Sequence, residues 1–192
     1  YPIIKEFDIN VKLEHKKREI CYIGGISAIR GIKELIDSME YIDGNLNLAG
    51  KFETEQLRKE VIIKNGWKKV KEYGFVNRDK VHEILSNSIL GLAIFHPEEN
   101  HINSQPNKIF EYMSSKIPVV ASNFPLWKEI IEKNNCGICV NPLKPKEIAN
   151  AVNYLLSNPD IAQEMGKNGR IAVEKKYNWD IEIKKLLKLY NI

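Results

Sequence analysis

Lys108 and Glu111 stand three residues apart in a stretch that reads as a helix opened by Pro106. Side chains three apart on a helix share a face, so a cation and a carboxylate are expected side by side, while Ile109, Phe110 and Met113 can point into a core. As an ordinary exposed ion pair they would contribute about 0.2–0.5 kcal/mol and need no ligand. Their place in the chain offers another use. The helix follows a strongly apolar run at residues 89–95, and a helix N-terminus presents free N–H groups and positive potential to an anion. Lys108 would add a point charge for a diphosphate, whereas Glu111, repelled by phosphate, would accept hydrogen bonds from a neutral diol such as a ribose. A second locus lies earlier, where Gly24 and Gly25 follow an apolar run and Arg30 and Gly31 come next. Adjacent glycines can be a tight turn and nothing more, or they can let backbone approach an anion that a guanidinium then closes on.

Positioning these groups requires a scaffold, and the pattern supplies one. Short apolar runs alternate with amphipathic ones, which predicts an α/β fold: a Rossmann-like doubly wound parallel sheet of about six strands, helices on both faces and a helical C-terminal tail. Strands are expected at residues 19–23, 46–49, 69–73, 89–95, 118–121 and 136–140, and helices near 30–39, 53–64, 78–87, from 106, 126–132 and from 146 onward with breaks near Pro159 and Asn178. The fourth run is apolar nearly throughout, as a central strand buried on both faces must be. Residues 96–105 read as an irregular polar stretch. In such a sheet ligands bind beyond the carboxyl ends of the strands, near the point where strand order reverses, so the loops after residues 23, 49, 73 and 95 are the ones to inspect.

The chain has 192 residues with 43% hydrophobic content, enough for one core. No linker divides it, so residues 1–192 read as a single domain. A net charge of +4, from 29 basic and 25 acidic residues, is too small to imply a nucleic-acid partner. The basic runs at Lys16, Lys17 and Arg18 and at Lys68 and Lys69 read as solvated ends, with peripheral contact to an anionic membrane as the alternative. Three cysteines, no signal peptide and no apolar stretch near membrane-spanning length point to the cytoplasm. Cys136 and Cys139 have redox or zinc half-motif spacing, yet on a strand they would face opposite sides, and only Cys21 remains as a further thiol. They read as core cysteines. His96 and His101 read as surface loop histidines, with contact between His101 and a bound sugar as the alternative; two histidines without a placed third ligand make no zinc site, and Glu98 with Glu99 could chelate magnesium. The first residue is Tyr1, and the sequence is expected to begin inside a longer protein.

Residues 106–122, PNKIFEYMSSKIPVVAS, resemble the donor-site signature of the family 4 glycosyltransferases, retaining enzymes of the GT-B fold. Further segments agree in order and spacing: Tyr22 to Gly25 with Arg30 and Gly31, Leu48 to Gly50, Tyr73 to Val76, and Tyr177 to Trp179. The resemblance covers roughly residues 19–191 and implies the C-terminal, donor-binding domain of a two-domain enzyme. It places Glu111 at the donor ribose, Lys108, Gly24, Gly25 and Arg30 at the diphosphate, and Val76 and Arg78 near the base. Arg30, Lys108 and Glu111 are the residues it implies at the reacting donor. The sequence departs from the family in two places. Gly25 occupies the position of a usual arginine, which leaves one charge fewer at the diphosphate. The family's paired glutamates sit eight apart, and counting back from Glu111 reaches Asn103, an uncharged contact for the transferred sugar.

The resemblance thus implies a nucleoside-diphosphate-sugar donor, no cofactor and no metal, and a glycan or lipid-linked acceptor held through an N-terminal domain beyond this chain. Other readings are a nucleotide-sugar epimerase or phosphorylase of the same fold, or a non-catalytic nucleotide-sugar-binding module. A dinucleotide oxidoreductase fits less well. Gly24 and Gly25 followed by Gly31 do not reproduce G-x-G-x-x-G, and Glu53 lies beyond Gly50 rather than at the end of the second strand.

Overall fold

The computed structural model describes residues 18–190, so Lys16 and Lys17 of the first basic run lie outside the described residues. Strands β1 (Glu19–Ile23), β2 (Asn45–Ala49), β3 (Val70–Gly74), β4 (Leu90–Ala93), β5 (Val119–Ser122) and β6 (Gly137–Val140) form a six-stranded sheet in the order β3-β2-β1-β4-β5-β6. Every neighbouring pair is parallel. The chain first builds outward from β1 to β3, then returns to the other side of β1 for β4, β5 and β6. The reversal falls between β1 and β4.

Alternation along the strands feeds both faces. In β1, Ile20 and Tyr22 join the core beneath α1 (Ile32–Met39), α2 (Glu55–Ile62) and α7 (Pro145–Ser157). Cys21 and Ile23 join the core on the opposite face, beneath α3 (Arg78–Asn87), α5 (Asn107–Ser114), α6 (Pro125–Ile131) and the end of α8 (Pro159–Lys175). Ile32, Leu35, Ile36 and Met39 recur at helical spacing and are fully buried; removing each such side chain from water is worth about 1.5–3 kcal/mol. Gly166 and Gly169 let α8 lie close over α5, where a Cβ at Gly166 would meet the Lys116 carbonyl. A last helix, α9 (Trp179–Leu189), is capped by Asn178, whose side chain accepts from the Ile181 amide at 3.0 Å.

The expected elements are present, with local differences that have causes. The helix expected from residue 30 is a 3-10 turn at Ala28–Arg30 followed by α1, because Gly31 at φ 68° breaks the run where a side chain would strike the Ile94 carbonyl. Pro106 is the N-cap of α5 rather than its first helical residue. The stretch at 96–105 is not wholly irregular, since Glu99–Ile102 forms one helical turn, α4. Cys136 precedes β6 instead of starting it, and its thiol points at the Ile131 carbonyl, 3.4 Å away. Cys21 and Cys136 are buried and Cys139 half-buried. Burial pushes the Cys136 and Cys139 thiols up to about 12, which suits packing rather than redox chemistry. The second basic run closes a 3-10 turn, with Lys69 Nζ donating to the Ile42 carbonyl at 2.6 Å. No helix among the described residues is long and apolar enough to cross a membrane.

Candidate functional site

A cleft of about 490 Å³ opens at the carboxyl ends of β1 and β4, lined by Ile23, Gly24, Arg30, Phe95, His101, Lys108 and Glu111 among others. Its position follows from topology. The two strands pair only through Ile20 with Leu90 and Cys21 with Gly91, and beyond that register they part. The Tyr112 side chain fills the gap: its hydroxyl accepts from the Ile23 amide at 3.1 Å and donates to the Leu92 carbonyl at 3.3 Å. Gly91 makes this possible, because a Cβ there would enter the Tyr112 ring. Tyr112→Phe should therefore leave the buried Ile23 amide unpaired and cost about 1–3 kcal/mol. Urea unfolding measures this, and a loss below a few tenths of a kcal/mol would show that the hydroxyl does not hold the strands.

Lys108 departs most from its reading as an exposed charge. It is only 8% exposed, and its Nζ has no hydrogen-bond partner among the described residues. The ammonium lies 3.5 Å over the Tyr22 ring and 5.2 Å from the Phe95 centroid. Two ring faces recover about 1–2 kcal/mol each at best, against a desolvation cost of several kcal/mol for a buried ion. Burial, and next the Arg30 guanidinium, hold the Lys108 amine well below the ordinary lysine range, with Glu111 opposing weakly. Burial likewise raises the Tyr22 phenol, which stays neutral and donates to the Gly25 carbonyl at 2.8 Å. Arg30 reaches the same carbonyl through Nη1 at 3.3 Å and lies 5.7 Å from the Phe95 centroid. Gly24, at φ 126°, gives the backbone room beside Lys108: a Cβ there would stand 3.3 Å from its Cε and Nζ.

Lys108 and Glu111 are not an ion pair with each other. Glu111 Oε1 instead accepts from Arg78 Nη1 at 2.9 Å. That contact crosses from the first residue of α3 to α5, and it explains why Lys108 is left to the cleft. A smaller, largely apolar slot of about 360 Å³ adjoins the cleft through Ile23 and Gly24, and is lined by Gly25, Ala49, Gly50, Phe75, Val76 and Val81 among others. The sequence-derived residues Gly24, Gly25, Arg30, Val76, Lys108 and Glu111 all line one or other of these spaces, whereas Arg78 lines neither and reaches the cleft through its bond to Glu111.

Asn103 is not among the lining residues. It caps the short α4 turn and is exposed, while Asn100, His101 and Ser104 line the cleft from the same stretch. His101 is not a surface residue but 7% exposed, with its ring 4.9 Å from Phe95. Its Nδ1 lies 3.2 Å from the His96 carbonyl; since a carbonyl only accepts, Nδ1 carries the hydrogen in that bond. His96 is taken by Glu34 at 2.9 Å, and no group of three His, Cys, Asp or Glu suited to a metal occurs among the described residues. The loop is held from below. Trp127 Nε1 donates to the Ser104 carbonyl at 2.7 Å, and the Ser122 hydroxyl bonds both the amide and the carbonyl of Phe95 at 2.7 Å. Sequence reasoning missed Tyr22, Phe95 and Tyr112; the aromatic beside Glu111, opposite a glycine in the central strand, was the available signal for Tyr112. A roomier groove of about 600 Å³ between residues 37–41 and 143–147 shares no residue with the cleft. Asp37, Lys144 and Glu147 in it are already engaged in ion pairs.

A doubly wound parallel sheet with a cationic crevice at its switch point defines an open α/β ligand-binding domain. The chain belongs to the glycosyl transferases group 1 family, whose model matches residues 4–172. An uncharacterized glycosyltransferase of Methanocaldococcus jannaschii is 28% identical over 97% of this chain and 51% of its own length. Sucrose-phosphate synthase from Thermosynechococcus elongatus superposes with a TM-score of 0.83 at 22% identity, over 98% of this chain and 50% of that one. Anabaena HepE, solved in complex with UDP, does so with a TM-score of 0.78 at 18% identity, over 92% of this chain and 50% of its own. The chain thus spans about half the length of these relatives.

Proposed function

We propose that this chain is the donor-binding half of a retaining glycosyltransferase and that its cleft holds a nucleoside-diphosphate sugar without a metal. The observation that carries the reading is Lys108: an amine buried in the cleft wall with no hydrogen-bond partner among the described residues, beside Arg30 and the start of α5. An anionic ligand is what such a group lacks. In this reading the diphosphate lies along Gly24, Gly25 and Arg30, the ribose diol meets Glu111, and the base enters the apolar slot at Val76. The fold shared with HepE, solved with UDP, supports this arrangement.

As the sugar departs, negative charge grows on the leaving phosphate. Arg30, Lys108 and the first-turn amides of α5 would stabilise it from fixed positions, the form of electrostatic stabilisation that needs no reorganisation at the moment of reaction. Asn100, His101 and Ser104 line the side where the sugar would lie. The acceptor, a glycan or lipid-linked sugar in a bacterial-type surface polysaccharide, would be held by the other half of a protein about twice this length, working in the cytoplasm.

Calorimetric titration of the chain with UDP, GDP and ADP in the presence of EDTA tests the proposal. At least one should bind, and the chain alone should transfer little or no sugar. Glu111→Ala should weaken that nucleotide by about tenfold, the scale of a hydrogen bond to a charged group. A folded sample that binds none of the three would overturn the donor assignment.

A further inference from the structure

We infer that Arg78 is a positioning residue: it fixes the Glu111 carboxylate so that the cleft selects nucleotides carrying both ribose hydroxyls. The inference rests on the donor reading above and adds to it a residue whose resemblance-derived place was near the base. The geometry gives it a different task. Arg78 is the first residue of α3, directly after Asn77, whose side chain caps the helix by accepting from the Lys80 amide at 3.0 Å. The cap sets where α3 starts, and so where the guanidinium leaves the backbone. From there Nη1 crosses to Glu111 Oε1, 33 residues along the chain, at 2.9 Å.

Burial is asymmetric across this pair. The Glu111 side chain is 17% exposed and that of Arg78 is 48% exposed. Arg78 therefore covers the carboxylate from the solvent side, and Glu111 faces the cleft it helps to line. The bond from Nη1 to Oε1 leaves lone pairs on the carboxylate for a diol, because two oxygens offer about four acceptor sites. A glutamate has several rotatable bonds, and ordering it only when ligand arrives would subtract from affinity. The Arg78 contact orders it beforehand. Val76, two residues before Arg78, lines the apolar slot and Glu111 lines the cleft, so a ribose linking a base in the slot to a diphosphate in the cleft would come to the carboxylate that Arg78 holds.

Positioning makes a prediction that charge neutralisation does not. If Arg78 acts by orienting Glu111, its loss should hurt only ligands that use Glu111. The experiment compares whichever of UDP, GDP or ADP binds the chain with its 2′,3′-dideoxy form, by calorimetry, on wild type, Arg78→Ala, Arg78→Lys and Glu111→Ala. Wild type should prefer the ribonucleotide by about tenfold. Arg78→Ala should erase most of that preference, leave the dideoxy affinity within about twofold, and so mimic Glu111→Ala. Arg78→Lys should restore part of the preference, since it keeps the charge without the rigid fork. Thermal melts verify that each variant is folded, and Arg78→Lys carries the comparison if Arg78→Ala is not.

Equal weakening of both ligands would overturn the inference and assign Arg78 to the base or to the general field. An unchanged preference in a folded Arg78→Ala, a fully retained one in Arg78→Lys if only that variant folds, or no diol preference in wild type would also overturn it. These outcomes leave nucleotide binding intact, whereas failure of wild type to bind any nucleoside diphosphate would sink the donor reading itself.

Discussion

Lys108→Met is expected to raise stability while removing nucleotide binding. Methionine keeps an unbranched stem between Tyr22 and Phe95, where the lysine now runs, and it puts no amine in a place that cannot solvate one. Relief of that desolvation should stabilise the free chain by about 1–2 kcal/mol, the scale of an unsatisfied buried polar group. Affinity for a nucleoside diphosphate should fall by about a hundredfold, equivalent to the ~1.5–3 kcal/mol of a charge-assisted hydrogen bond with its share of the field. The pH dependence supplies a separate check. In the unfolded chain the amine titrates at about 10.4, and in the fold it is held well below its ordinary value by burial and by Arg30. Between the two values the unfolded chain binds more protons than the folded one, so the contribution of this group to stability rises with pH across that window and falls as pH drops. Urea titrations should show such a slope in wild type and lose it in Lys108→Met. A diphosphate would favour the ammonium, so donor binding should take up a proton, visible as a dependence of calorimetric enthalpy on buffer ionisation. A methionine variant that is less stable than wild type and still binds would return Lys108 to a structural role.

The scaffold was readable in the sequence because each β strand carries its burial in a short window. The run at Leu90–Ala93 is buried at every position, and no solvent-facing alternation obscures it. Glu111 was readable because three-residue spacing on α5 separates it from the core-facing Ile109, Phe110 and Met113. Its partner was not. Arg78 lies on another helix, and the two meet only because β3 and β4 flank the β2 and β1 pair on opposite sides of the switch. Lys108 misled for a similar reason: local pattern assigns lysine to solvent, and only the fold brings the Tyr22 and Phe95 rings against it. At Asn103 the counting was sound, yet the single turn of α4 at Glu99–Ile102 directs that residue outward and brings Asn100 and His101 to the cleft. Spacing along a loop carries no direction until the loop's own hydrogen bonds fix it, here through Trp127 and Ser122.

Gly50→Ala should be a severely damaging small substitution, and Gly74→Ala its control. Three strands end on glycines with positive φ: Gly24 at 126°, Gly50 at 153° and Gly74 at 67°. They are laced together, with the Gly24 amide donating to the Ala49 carbonyl at 2.9 Å and the Gly50 amide to the Gly74 carbonyl at 2.8 Å. A Cβ on Gly50 would collide with the Gly24 carbonyl, which is backbone and cannot swing aside, whereas a Cβ on Gly74 would meet nothing within 4 Å. Both substitutions carry the conformational penalty of positive φ, about 1–3 kcal/mol. Gly50→Ala adds overpacking against rigid neighbours, a further ~1–3 kcal/mol. Because Gly24 adjoins Lys108, the displaced carbonyl should also carry the floor of the cleft with it. Gly50→Ala should thus lose about 2–6 kcal/mol in urea unfolding and most of its nucleotide affinity, while Gly74→Ala loses only the first portion and keeps binding. Equal losses at the two positions would mean that backbone angle alone, and not the contact with Gly24, demands glycine at the ends of these strands.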